Sequence, residues 1–364
     1  MTRPPQLPEE VLEKFILGFE GKSLPDELRA YLAQGLGGVI LFPRNFSSPE
    51  NLWSLTQEIR RVAGRPVLIG VDQEGGTRFS LPEPFTQWVS PEELGRLGDT
   101  DLVERQAKAI ARELAAVGCN LNFAPMLDLH LQPESPVTKG RSFGCDPAKV
   151  ASFGAAFARG LDEGGVLACA KHFPGHGDTV IDPHLDLPVF QESRKRLRKA
   201  ELVPFAAAIA AEVPFFMTAH ISLPAVDADW PASLSREVLS GILREDMGCG
   251  GIVLADDLGM GALSRRWAPA VSAVRTFLAG SDMALICHDW NSVRPALAAV
   301  AMALDHAEFD SELWKESRTR IAKLKTHLKN AGEKMPPLSV VGCAEHGELV
   351  LETRAKLKSP AAAS

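Results

Sequence analysis

Short apolar runs recur about eight times along the chain, and stretches with a helical pattern separate them. The runs are KFILGFEG (14–21), GGVILFP (37–43), PVLIGVDQ (66–73), CNLNFAPMLD (119–128), GVLACAKHFP (165–174), PFFMTAH (214–220), GGIVLADDL (250–258) and SDMALICH (281–288). Most are continuously apolar rather than alternating, which is how strands buried on both faces of a parallel sheet read. Between them, 101–117, 147–163, 192–211, 236–246 and 290–305 carry amphipathic helical spacing. Alternating strand and helix implies right-handed βαβ units. About eight such units in some 300 residues is the arithmetic of a (β/α)8 TIM barrel. An open doubly wound sheet is the alternative. It is weakened by the lack of a G-x-G-x-x-G opening a helix after the first run.

Composition narrows the partners. Of the 364 residues, 39 are Lys or Arg and 46 are Asp or Glu, a formal charge of −7. That balance argues against a phosphate-binding surface, so no nucleic-acid partner is expected. No apolar run approaches the ~20 residues that span a bilayer, and MTRPPQLPEEVLEKF lacks the apolar core of a secretory signal. The six cysteines are scattered, with no C-x-x-C pair, and read as free thiols in a reducing cytoplasm. The barrel domain is expected over 1–330. A Gly/Pro-containing linker, a short helix over EHGELVLETRAKLK and a disordered tail, SPAAAS, are expected within 331–364.

The polar residues fall where a barrel would use them. The C-terminal ends of barrel strands form the active-site face. The third run ends in Asp72-Gln73-Glu74-Gly75-Gly76 and the fourth near Asp128, with Arg141 in the loop beyond. The fifth ends in Lys171-His172, the sixth in His220, the seventh in Asp256-Asp257 and the eighth in His288-Asp289. Buried without partners, such a cluster would cost several kcal/mol, so mutual pairing or a ligand is expected. The densest stretch is KHFPGHGDTVIDPHLDLP, 171–188, which its glycines and prolines make a loop. Within it Asp182-x-His184 lets a carboxylate hold an imidazole and raise its basicity, which suits proton transfer near neutral pH.

These motifs, GGVILFPRN, GVDQEGG, NLNFAPMLDL, GRSFG, KHFPGHGDT-x-x-D-x-H, PASLS and GGIVLADDLGM, resemble family 3 glycoside hydrolases over about 12–330. Within that family the chain most resembles the single-domain bacterial β-N-acetylhexosaminidases of cell-wall recycling. The resemblance implies the same barrel fold. It also implies an exo-acting, retaining enzyme that takes N-acetylglucosamine from muropeptides or short amino-sugar glycosides. Asp256 would be the nucleophile. His184, paired with Asp182, would be the general acid/base. Asp72, Arg141, Lys171 and His172 would bind the sugar of the −1 subsite. No metal or cofactor is implied, the partner is a small carbohydrate, and a cytoplasmic monomer or weak dimer is expected.

The residue chemistry agrees with these roles. A retaining glycosidase needs an ionised carboxylate and a proton donor, and Arg141 and Lys171 would favour the charged form of Asp256. Three departures from the family bear on substrate preference and loop motion. Ala255 replaces Ser or Thr before the nucleophile, Pro183 replaces Ser inside D-x-H, and Thr77-Arg78-Phe79-Ser80 replaces R-V-x-R. VGCAEHGELVLETRAKLK resembles the connector into a second domain of longer members, whose contribution is then expected to be absent.

Other readings remain open at this point. Asp257 is the better helix-capping candidate, and Arg141 and Lys171 could pair structurally with Asp128 or Glu74. His176 and Asp178 read as loop-shaping, His220 as structural or substrate-facing, and His288 and Asp289 as a strand-end turn. Phosphorolysis, a β-glucosidase or xylosidase, a zinc hydrolase built on H-x-x-x-H-x-D, and a non-catalytic sugar-binding barrel are the competing functions.

Overall fold

The computed structural model describes residues 6–331 and 335–359. Its centre is a closed barrel of eight parallel strands in chain order. They are β1 (Phe15–Leu17), β2 (Gly38–Ile40), β3 (Leu68–Val71), β4 (Leu121–Asn122), β5 (Leu167–Phe173), β6 (Phe215–Thr218), β7 (Ile252–Ala255) and β8 (Met283–Ile286). Pairing of β1 with β8, Phe15 opposite Ala284, closes the ring. All eight expected runs contain a strand, each shorter than its apolar run. β4 is the shortest; just beyond it the Ala124 amide turns back to the Asn122 carbonyl at 2.8 Å instead of pairing across the sheet.

The continuous apolar character of the runs has a geometric cause. Alternate side chains enter two different cores. Ile16, Leu68, Leu121, Leu167, Cys169, Phe215, Ile252, Leu254, Met283 and Leu285 fill the barrel interior. Their neighbours Phe15, Ile69, Ala168, Phe216, Val253 and Ala284 pack outward against the helices. Both faces are dry, so neither can be polar. Inside the ring, Gly70 gives way to the Phe123 ring; a Cβ there would sit 2.7 Å from two ring carbons.

The helices follow their caps. Pro147–Glu163 starts on Asp146, whose carboxylate accepts the Ala148 and Lys149 amides. Pro91–Leu97 starts on a Ser90–Glu93 capping box. The expected helix over 192–211 is two, Arg194–Lys199 and Leu202–Ala210. Pro204 explains the break: inside one helix its ring would clash with the carbonyl of Ala200, whereas in a new first turn it is tolerated. The last barrel helix is Ser311–Ala331, and it closes the floor of the barrel by sending Ile321 and Leu324 into the interior core.

The C-terminal helix Ala344–Leu357 lies back on Pro91–Leu97 and Thr100–Ala116. The expected disordered tail, SPAAAS, lies outside the described residues from 360 on. Among the described residues no helix is long and apolar enough to cross a membrane.

Candidate active site

Strand parity decides which strand-end groups face inward. On β7 Ile252 and Leu254 point into the barrel and Val253 and Ala255 point out, so Asp256 rises over the barrel mouth. Leu68 and Gly70 carry the same parity to Asp72, and Leu167 and Cys169 carry it to Lys171. A pocket at this C-terminal face is lined by Asp72, Arg141, Lys171, His172, Asp182, His184 and Asp256, so every residue singled out as a candidate lines it. Phe42, Phe79, Met260 and His288 supply its apolar and aromatic rim.

The cations are not free. Arg141 binds Glu74 through Nε (2.8 Å) and Nη2 (2.7 Å), and its Nη1 donates to the Val137 carbonyl. The Lys171 ammonium lies 2.7 Å from Asp72 and 2.6 Å from Glu74. The structural pairing weighed for these two residues is therefore present, through Glu74 rather than Asp128. Burial pushes the Glu74 carboxyl up, but Arg141 and Lys171 outweigh it and hold it at about 2. The Phe79 ring, on a backbone with φ of 50°, covers the Arg141 guanidinium at 4.1 Å.

Asp128 is fully buried and anchors the neighbouring histidines. Its carboxylate accepts from His172 Nδ1 (2.6 Å) and from the His176 amide (2.7 Å). His176 shapes its loop as expected, but it also lines the pocket, and burial pushes its imidazole down to about 4. Asp178 bonds Gln132. Among the described residues no three His, Cys, Asp or Glu side chains stand in metal-ligand geometry, so the H-x-x-x-H-x-D run does not converge on a cation.

Asp256 is partly exposed to the pocket and accepts the Asp257 amide on Oδ1 at 2.8 Å. Burial raises its carboxyl, but His172, His220, that amide and Lys171 together bring it below the ordinary carboxylate range. Asp257 does what a capping residue does, accepting the Gly259 and Cys287 amides at 3.0 Å each. His220 uses both ring nitrogens internally, on Ser233 Oγ (2.7 Å) and the Asp257 carbonyl (3.0 Å). Ser233 belongs to PASLS, so that motif supports the loop behind Asp256. His184 is mostly exposed, with Nδ1 2.7 Å from Asp182 Oδ1, and the His184 amide bonds the same oxygen at 2.9 Å.

Sequence reasoning gave Glu74 only a pairing role, marked Phe79 only within a departure from the family pattern, and gave Phe42 no role. It read His288 as a simple turn, whereas its ring lies on Phe42 at 4.9 Å and lines the pocket. Parity could have flagged Glu74, two residues beyond Asp72. Nothing local could have flagged the aromatic rim, which long-range packing creates.

Residues 17–324 match the model of the glycosyl hydrolase family 3 N terminal domain. The chain belongs to glycoside hydrolase family 3. It is 37% identical over 328 residues to a "Beta-hexosaminidase" of Thiobacillus denitrificans, covering 88% of each chain. A "Beta-hexosaminidase A" of Pseudoalteromonas piscicida is 33% identical over 360 residues, 91% of this chain. The matched region spans only 60% of that relative's length. A solved family 3 β-N-acetylglucosaminidase from Paenibacillus sp. superposes with a TM-score of 0.92 at 36% identity, covering 97% of this chain and 69% of that one. The family 3 resemblance and the (β/α)8 barrel read from the sequence are both borne out.

Proposed function

We propose that the chain is a retaining, exo-acting β-N-acetylglucosaminidase that releases terminal β-linked N-acetylglucosamine from muropeptides or short amino-sugar glycosides. The observation that carries this reading is one pocket shared by an inward carboxylate held ionised, Asp256, and an imidazole–carboxylate pair, His184–Asp182. The names of the family relatives support the amino-sugar class.

In the first step Asp256 bonds to the anomeric carbon as the glycosidic C–O bond breaks. The leaving oxygen takes the proton of the His184 imidazolium. In the second, neutral His184 takes a proton from water, the resulting hydroxide bonds to the anomeric carbon, and Asp256 departs as carboxylate. Two inversions give net retention. Donation of Nδ1–H to Asp182 leaves Nε2 as the nitrogen that exchanges the proton. Asp72 accepts from sugar hydroxyls, and the hydrogens of Lys171 and Arg141 not used internally donate to them.

The test is a panel of nitrophenyl β-glycosides: N-acetylglucosaminide, glucoside and xyloside, each with and without phosphate. The N-acetylglucosaminide should turn over fastest, to free sugar of retained β configuration. Asp256→Asn should keep the fold and lose about 1,000-fold or more in kcat. An inverted product, or near-normal turnover in Asp256→Asn, overturns the mechanism. A faster glucoside or xyloside overturns the sugar assignment, and sugar 1-phosphate as the main product in phosphate overturns hydrolysis.

A further inference from the structure

We infer that Glu74 is a positioning residue of this site, which holds Arg141 and Lys171 so that their unused hydrogens face the sugar and their charge stays off the nucleophile. This rests on the glycosidase reading above.

Glu74 is buried and is not among the residues lining the pocket, so it acts through others. Its Oε1 takes Arg141 Nη2 and lies 2.6 Å from the Lys171 ammonium, while Oε2 takes Arg141 Nε. The fork leaves a definite remainder. Arg141 has five N–H groups; two go to Glu74 and one to Val137, leaving two. Lys171 has three; Asp72 and Glu74 take two, leaving one. The Glu74 amide donates to the Phe79 carbonyl at 2.9 Å, and the Phe79 ring covers Arg141, so the guanidinium is held by a carboxylate and covered by an aromatic face. A buried carboxylate costs free energy that an apolar side chain there would not, and two buried cations are its compensation.

Without Glu74 the pair would keep one carboxylate partner, Asp72, for two positive charges. The surplus would fall on Asp256. That residue faces Lys171, His172 and Cys169 on β5, His176 beyond it, His220 after β6 and Cys287 after β8, besides its neighbour Asp257. More positive charge there would make Asp256 a weaker base and a poorer nucleophile.

The experiment compares Glu74→Gln and Glu74→Asp with the unaltered chain on the best nitrophenyl glycoside of the panel, across pH. This leaving group needs little protonation, so the acid limb of kcat/KM reports Asp256. Glu74→Gln should lose about 100-fold in kcat/KM, with the acid limb displaced downward by roughly 0.5–1 pH unit. Glu74→Asp keeps the charge but shortens the fork. Its KM should rise while its acid limb stays in place. A Glu74→Gln loss that only tracks the fraction folded, with an unmoved limb, overturns the inference. So does an Asp variant whose limb moves, or whose KM does not. If Glu74→Gln fails to fold, the Asp variant decides alone. Because the substrate is whichever glycoside the panel selects, a wrong sugar assignment shows in the unaltered chain, not in these comparisons.

Discussion

A lysine far from the pocket illustrates how burial sets single-residue behaviour. Lys14 is fully buried under the barrel floor, its ammonium 4.1 Å above the Trp314 ring and bonded to Ser317. Burial lowers its pKa to about 8, against the pull of Asp282 and Glu13. The folded chain therefore binds fewer protons than the unfolded chain between pH 8 and 10.5. Its stability contribution rises with pH through that window. Lys14→Met removes the effect. The unfolding free energy of the unaltered chain should gain about 3 kcal/mol on the variant between pH 7 and pH 10.5. Urea unfolding at the two pH values measures this, and a pH-independent difference would sink it. Lys14 opens the apolar run KFILGFEG, but nothing there points to Trp314 as its partner, which lies 300 residues away.

At the scale of an element, the loop 178–189 stands apart from the barrel that carries it. Its apolar side chains Val180 and Leu185 are 61% and 62% exposed. The loop is tied by the Ala262 amide to the Pro183 carbonyl and by Arg266 to Asp186. Few buried apolar contacts place a segment at the low-stability end of a fold, where moving parts are drawn from. His184 is carried on that segment, whereas Asp256 stands at the end of a strand. Under the proposed mechanism, His184→Ala should lose about 100-fold or more with a natural disaccharide and markedly less with a nitrophenyl leaving group. Steady-state kinetics on both substrates tests this; equal losses would remove the acid role. The D-x-H spacing made the pairing of Asp182 with His184 legible, because both partners lie two residues apart. How far the loop reaches over the pocket was not legible, since its anchors at 262 and 266 come from another part of the chain.

Across the whole molecule, a buried cluster of hydrogen bonds on Glu113 helps fasten the C-terminal segment. Glu113 accepts from Thr86 Oγ1 (2.6 Å), the Gly342 amide (2.9 Å) and His346 Nδ1 (2.8 Å). It thereby links the Thr100–Ala116 helix, the segment after β3 and the terminal helix. Outside this cluster lie exposed pairs such as Arg105–Glu352 and Lys356–Asp99. Removing the Glu113 carboxylate leaves buried donors on Thr86, Gly342 and His346 unpaired, and should cost about 3–5 kcal/mol. Breaking an exposed pair should cost about 1 kcal/mol or less. Thermal unfolding of Glu113→Ala beside Arg105→Ala checks the contrast, and comparable shifts would refute it. The sequence marks 331–364 only as a linker and a short helix, because an amphipathic pattern does not say which face of the barrel it meets.

The amino-acid order alone determined the alternation of strand and helix, hence the barrel, and the polar ends of the strands, hence the face that carries the pocket. These follow from local rules: apolar periodicity, caps and turns act over a few residues. Closure of the ring decided the rest. It set Glu74 against Arg141 across 67 residues and Asp128 beneath His172 across 44. It also brought Phe42 against His288. Such contacts depend on which side chains the curvature and stagger of the strands bring within a few ångströms, and no stretch of sequence contains that distance.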